Sequence, residues 1–229
     1  MRGWRDDVRR VWAIAMKDLR TERRSKAGFN SVAALGVLML LLFGFALGPD
    51  AEALRTAAAG ALWLAVLFSG VLAFNRSYQL ELDGGALEPL LLYPGSRWTI
   101  FAGKLMANLI FVLLVEVVLV PVALILFQVR VPDSWLSQIA VIGLGSIGFV
   151  TLGTFYAAMA SRSRAREVLL PLLLFPMLVP VLLAATEASS AILAGDPMRD
   201  SGAWIRLLVA FDVIFIGATS LVFEHVIEV

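Results

Sequence analysis

AGFNSVAALGVLMLLLFGFALGP, residues 27–49, runs for 23 residues without a charged side chain. A helix rises 1.5 Å per residue and needs ~20 apolar residues to cross ~30 Å of hydrocarbon, so this stretch can span a bilayer. The pattern recurs outward along the chain. Residues 56–75 and 134–161 carry no charge, 105–129 are interrupted only by Glu116, 168–186 are again uncharged, and the shorter 207–223 holds Asp212. These runs are continuously apolar, whereas barrel strands alternate with period 2 over ~10 residues. The expected fold is therefore all-α, with six transmembrane helices.

Composition leads to the same class. Hydrophobic residues make up 60% of the 229 and charged residues 16%, against about 45–50% and 25% in soluble domains. A net charge of +1 gives no reason to expect nucleic acid or an acidic substrate. Zero cysteines exclude disulfides, thiolate metal sites and a Cys nucleophile. The single histidine, His225, leaves little material for a His-based triad or metal centre. Ala46-Leu47-Gly48 has the small-x-small form of a signal-peptidase site. However, the 26-residue charged leader and the long apolar run exceed signal-peptide proportions, so the first helix is expected to stay uncleaved.

Lys and Arg set the orientation. Nine lie in residues 1–26, three between spans two and three (Arg76, Arg97, Lys104) and three between spans four and five (Arg162, Arg164, Arg166). The opposite side receives Arg55, Arg130, Arg199 and Arg206. Both termini are thus expected in the cytoplasm. Within the leader, Trp4, Val8, Val11, Trp12, Ala15 and Leu19 recur at helical spacing while Arg5, Arg9, Lys17 and Arg20 fall elsewhere. The expectation is an amphipathic helix over 1–26 lying at the cytoplasmic interface, followed by one six-helix transmembrane domain over 27–229.

Ala57, Ala61, Ala65, Ser69 and Ala73 form an i, i+4 ladder that lets another helix backbone approach closely. Gly153, Ala157 and Ser161 repeat it, with Gly143, Gly145 and Gly148 upstream. Packing within one bundle and a homodimer seam both fit such faces. The loop over 75–104 is far longer than a turn requires. Its Glu81-Leu82-Asp83-Gly84-Gly85-Ala86-Leu87-Glu88-Pro89-Leu90-Leu91-Leu92-Tyr93-Pro94-Gly95-Ser96-Arg97 reads as a short helix presenting leucines between a Gly-Gly break and a Pro-Gly stop. Such a helix either docks on a partner or dips into the interface as a re-entrant stub.

Gly85, Leu87, Glu88, Leu90, Leu91, Pro94 and Arg97, with Gly103-Lys104 opening the next span, resemble the coupling-helix signature of type-2 ABC transporter permeases. Lys17-Asp18-Leu19-Arg20, Glu22-Arg23-Arg24-Ser25-Lys26, Phe74-Asn75-Arg76-Ser77 and the block from Arg166 to Pro176 narrow the resemblance. Together they are similar to the CcmB family, the permease subunits of the cytochrome c maturation (haem exporter) ABC system. Ala86 stands where many permeases have Thr, and Pro89 falls inside the implied coupling helix and shortens it. The resemblance implies a non-catalytic permease in the bacterial inner membrane. Its implied partners are an ABC ATPase subunit, a second copy of this permease, a haem-handling membrane subunit and a periplasmic haem chaperone. ATP and haem would then be bound by partners and not by this chain. The sequence agrees on one point: it has no Gly-x-x-x-x-Gly-Lys-Ser/Thr loop to cradle phosphates.

Glu116 and Asp212 are the intramembrane polar candidates, each expensive at bilayer depth unless protonated, hydrated or paired. They fit a polar path or a responsive charge, and equally a hydrogen-bonded packing residue; Arg206 is the expected neighbour of Asp212. Pro171, Pro176 and Pro180 are expected to break or kink the fifth span. Haem iron usually takes His, Cys, Tyr or Met. With His225 at the cytoplasmic end of span six and no evident Met or Tyr pair, no axial haem ligation by this chain is expected. An intramembrane protease would need a Ser–His dyad or an Asp pair, which Asp212 and His225 do not supply. A type-2 exporter of another substrate, or a secondary transporter, remains the alternative; inverted repeats would favour the latter, and no secure internal repeat is found.

Overall fold

The computed structural model describes residues 4–24, 26–83, 97–130, 134–160, 166–195 and 201–226. Among these described residues there are seven helices: α1 Trp4–Arg24, α2 Lys26–Leu47, α3 Ala51–Asp83, α4 Arg97–Leu126, α5 Trp135–Ala160, α6 Arg166–Leu193 and α7 Ser201–Val226. Helices α2 to α7 each contain a segment long and apolar enough to cross a membrane. The all-α, six-span architecture read from the charge-free runs therefore stands.

Local chemistry sets the helix ends. Gly48 closes α2 at φ +70°, a left-handed conformation that glycine adopts without penalty. Asp50 then caps α3, its Oδ1 accepting from the Glu52 N–H at 3.0 Å. Three boundaries differ from the sequence reading. Helix α3 continues through Asp83, because Asn75–Asp83 contains no Gly or Pro and the first breaker is Gly84-Gly85. Helix α4 already begins at Arg97, so 75–83 and 97–104 of the expected loop are helical, and 84–96 lie outside the described residues. The weak last span becomes the 26-residue α7, which takes in Arg206. Helix α6 is unbroken across Pro171, Pro176 and Pro180.

The main core cluster surrounds α3, which packs on α2, α4, α5 and α6, and a smaller one joins Phe101 and Phe155. The small-residue ladder points inward: Ala61, Ala65, Ser69 and Ala73 are all buried. A Cβ placed on Gly36 of α2 would meet Ser69 Oγ and Leu119 Cδ2 at 2.7 Å, which puts α2 and α4 against this face. The ladder therefore serves packing inside one chain, which settles what periodicity left open.

Helices α3 and α5, spans two and four, run parallel and interlock through aromatic rings seated on glycines. Phe74 of α3 lies over Gly153, Phe149 of α5 lies over Gly70, and the Trp63 indole lies over Gly145. The Phe74 and Phe149 rings meet with centroids 5.0 Å apart. Lipid tails are as apolar as the side chains, so close packing of this kind, more than transfer from water, holds the spans together.

Helix α1 is present as expected, but its apolar stripe divides. Ala15 is buried, with Val11, Ile14 and Leu19 partly so, and the helix packs on α4 and α2. Val8 and Trp12 stay on the outside, Trp12 with 55% of its surface exposed.

Candidate functional site

Of the residues nominated for ATPase coupling, Gly85, Leu87, Glu88, Leu90, Leu91 and Pro94 lie outside the described residues, and Arg97 is the first residue of α4. The structure describes the two feet of that segment, the end of α3 and the start of α4, and the helix α1 that lies against them. Four charged residues converge there. Asp18 and Glu22 are one helical turn apart on α1 and so share a face. Asp18 Oδ2 accepts from Lys104 Nζ of α4 at 3.4 Å, and Glu22 Oε1 stands 3.4 Å from Arg76 Nε of α3.

The two pairs differ in depth. Lys104 is only 1% exposed, so its ammonium has left water and depends on protein partners, Asp18 among them. Gly103 makes this approach possible: a Cβ there would sit 2.7 Å from Ile14 Cβ and 3.1 Å from the Val11 carbonyl oxygen. The α1–α4 contact is thus fixed by shape at Gly103 and by charge at Lys104. The Glu22–Arg76 pair is more open, its side chains 17% and 29% exposed. Burial holds the Glu22 carboxyl above its ordinary value, against the opposing pull of the Arg76 guanidinium. Beside this pair is a cavity of about 180 Å³, walled by Lys17, Asp18 and Thr21 from α1, Arg76 and Ser77 from α3, and Asn108 from α4.

All four residues stand in the motif blocks quoted from the sequence, yet none was singled out as a site. The available signal was the i, i+4 spacing of Asp18 and Glu22 on an otherwise basic leader. No local pattern tells which bases they meet, because Arg76 and Lys104 are brought to them by tertiary packing.

The intramembrane carboxylates occupy a different part of the bundle. Glu116 of α4 is 3% exposed and its Oε1 lies 2.7 Å from Ser146 Oγ of α5, within reach of that hydroxyl's proton. Ser146 Oγ also lies 2.7 Å from the Ile142 carbonyl, so one proton serves two acceptors in turn. Asp212 of α7 is 5% exposed and points toward α5 at Gly148, where a Cβ would meet its Oδ1 at 2.7 Å. Residues 146 and 148 are ~3 Å apart along a helix, so the two carboxyls reach α5 at similar depth from different sides. The expected Arg206 partner is not beside Asp212: Arg206 is exposed, and six residues along a helix is well off the same face. Neither carboxylate lines the cavity at α1 or the larger cleft of about 870 Å³ at the opposite end, which is walled by Arg55, Arg130 and Glu187. Among the described residues, no group of three or more His, Cys, Asp or Glu is arranged to hold a metal.

Most of the chain has known relatives. A family-wide sequence profile described as "CcmB protein" matches residues 9–229. The chain belongs to the CcmB family. The CcmB-family protein "Heme exporter protein B" of Paracoccus denitrificans is 32% identical over 188 residues, covering 81% of this chain and 85% of the relative. The protein of the same name from Rhodobacter capsulatus is 30% identical over 175 residues, covering 76% and 80%. That from Haemophilus influenzae is 28% identical over 178 residues, covering 78% and 80%. The profile match begins at Arg9, so CcmB likeness takes in most of α1 and with it Asp18 and Glu22.

Proposed function

We propose that this chain is the membrane permease subunit of a haem-exporting ABC transporter serving cytochrome c maturation. In this reading a separate ATPase subunit hydrolyses ATP, and the chain turns that cycle into movement of its spans. The observation that carries the proposal is the family match over residues 9–229, joined by relatives named for haem export that align over most of their length. The sequence holds no phosphate-cradling Gly-x-x-x-x-Gly-Lys-Ser/Thr loop, which supports a reading with nucleotide chemistry on a partner. The leucines at 87, 90 and 91 dock on that ATPase, a second permease copy completes the transporter, and haem is held by a haem-handling subunit and a periplasmic chaperone. The chain itself contributes no axial haem ligand.

Purification of the tagged chain in mild detergent should recover an ABC ATPase in near-stoichiometric amount. Leu90→Asp or Leu91→Asp should reduce that recovery about tenfold or more while the permease stays in the membrane, since a buried unpaired charge costs several kcal/mol. A wild-type preparation free of any ATPase would refute the proposal, and full ATPase recovery with both aspartate variants would refute the docking assignment.

Orientation in the bacterial inner membrane, with both termini cytoplasmic, is supported by the basic bias of the leader and of the segments at 76–104 and 162–166. The native chain has no cysteine, so single cysteines report cleanly. Cysteines at Ser25, Ser96 and Ser163 should resist a membrane-impermeant thiol reagent in intact cells, and those at Glu52 and Ser134 should label. Labelling at Ser96 from outside would reverse the assignment.

A further inference from the structure

We infer that the cleft at the end of the bundle away from α1 is a phospholipid site. It takes a head that carries a phosphate beside an ammonium, as in phosphatidylethanolamine, with an acyl chain laid along α3. Such a site is independent of the permease reading and needs only spans that cross a bilayer. The cleft, about 870 Å³, falls within the ~300–1,000 Å³ of small-molecule sites. One turn holds both of its cations. Helix α4 closes with the Val129 N–H donating to the Leu124 carbonyl at 3.0 Å and the Gln128 N–H to that of Ile125 at 3.3 Å. This is a left-handed cap in which Gln128, at φ +53°, stands where glycine is usual. The Gln128 carbonyl accepts from Arg55 Nε at 3.2 Å, and Arg130 follows two residues on. Arg55 is thereby anchored through Nε, with its two terminal nitrogens left to serve a ligand.

Charge and depth choose the occupant. Among the described residues no carboxylate pairs with Arg55 or Arg130, and Glu187, on the α6 wall of the same cleft, is itself unpaired. Two guanidinium forks suit the oxygens of a phosphate, and a carboxylate on the other wall suits an ammonium. Trp135 and Trp204 stand in the first turns of α5 and α7 at this end, and tryptophan marks the membrane–water interface. Trp204 lines, with Glu187, an adjoining cleft of about 470 Å³. Below the charges the walls turn apolar. Gly60 of α3 leaves the floor open, since the one described atom within 4 Å of a Cβ there is the Thr186 methyl, at 3.9 Å. Leu64 and Phe68 continue from it at i+4 spacing, each 38% exposed on a span that is otherwise largely buried. The Phe68 ring meets Phe175 of α6 edge-on, with centroids 6.2 Å apart. These two steps lie about 6 and 12 Å below Gly60, inside the ~15 Å of one leaflet. A head at the arginines therefore puts its chain on this stripe, whereas a soluble anion would leave the stripe bare.

The test uses the full chain purified in mild detergent, stripped of lipid and titrated with phosphatidylethanolamine or phosphatidylglycerol of identical acyl chains. Native mass spectrometry counts the bound lipid. One tightly held phosphatidylethanolamine per chain is expected, preferred over phosphatidylglycerol by about fivefold, the size of one partly exposed ion pair. Arg55→Gln and Arg130→Gln should each weaken it about tenfold, the effect of losing one charge-assisted contact. Glu187→Gln should erase the preference while both lipids still bind. Gly60→Leu should block binding by filling the floor, and without lipid it should melt close to wild type. The chain-free head, glycerophosphoethanolamine, should bind about a hundredfold more weakly, as a few unburied methylenes suffice to cause. Equal or tighter binding of phosphatidylglycerol by wild type would overturn the inference. Equal binding of the chain-free head, or wild-type affinity and preference in the polar variants, would overturn it too. Arg55, Arg130 and Glu187 are exposed, so their variants keep the fold. Should Gly60→Leu fail to melt near wild type, those three decide alone.

Discussion

Asp18→Ala should lower the stability of the detergent-solubilised protein by about 3 kcal/mol, the low end of what breaking a buried ion pair entails when one charge stays behind. Lys104 is the charge that stays, at 1% exposure and with Asp18 among its partners. Adding Lys104→Met should recover most of the loss, because a buried pair replaced by apolar side chains of similar volume is often neutral. Thermal unfolding followed by tryptophan fluorescence reads both values. If the single and double variants melt at the same temperature, the ammonium does not depend on Asp18.

Gly153→Val should destabilise the bundle by about 3 kcal/mol, the upper end of ordinary overpacking. The new Cβ would enter the space of the Phe74 ring, which is itself held against Phe149 and has no free side to move to. Phe74→Leu in the same chain should return part of the loss by shrinking the ring's claim on the seat. Gly143→Val supplies the control: nothing lies within 4 Å of a Cβ there, so its effect should stay within about 0.5 kcal/mol. Equal melting of the Gly143 and Gly153 variants would mean that the α3–α5 seam does not limit stability.

The spans were legible because hydrocarbon admits few solutions: an uncharged run of ~20 residues has to be a helix. Boundaries were less legible where a helix leaves the membrane. Asn75–Asp83 is polar enough to read as loop, yet it holds no Gly or Pro and is helical to Asp83. The prolines of α6 are expected to break or kink the span; of the two, the break does not occur, since packing and local adjustment keep a membrane helix continuous through them. For the candidate site, Leu87, Leu90 and Leu91 read in the sequence as an apolar helix between breakers, and they lie outside the described residues. The Asp18–Lys104 and Glu22–Arg76 pairs were not legible there, since residues 86 and 54 positions apart meet only after the bundle has formed. Arg206 was assigned to Asp212 by nearness in sequence, and helical phase places it elsewhere.

The seating of rings on glycines also bears on how the chain is made. Gly70 and Phe74 belong to the second span, and the partners that complete them, Phe149 and Gly153, belong to the fourth. At about 5–20 residues per second the ribosome takes roughly 4–16 s to reach the fourth span after the second has been synthesised. Through that interval the second span sits in or beside the translocon with its glycine bare and its phenylalanine unseated. The membrane core consequently closes late in biogenesis, when the fourth span arrives. A chain that stalls before residue 149 has no means of completing the seam and is exposed to membrane proteolysis as an unfinished product.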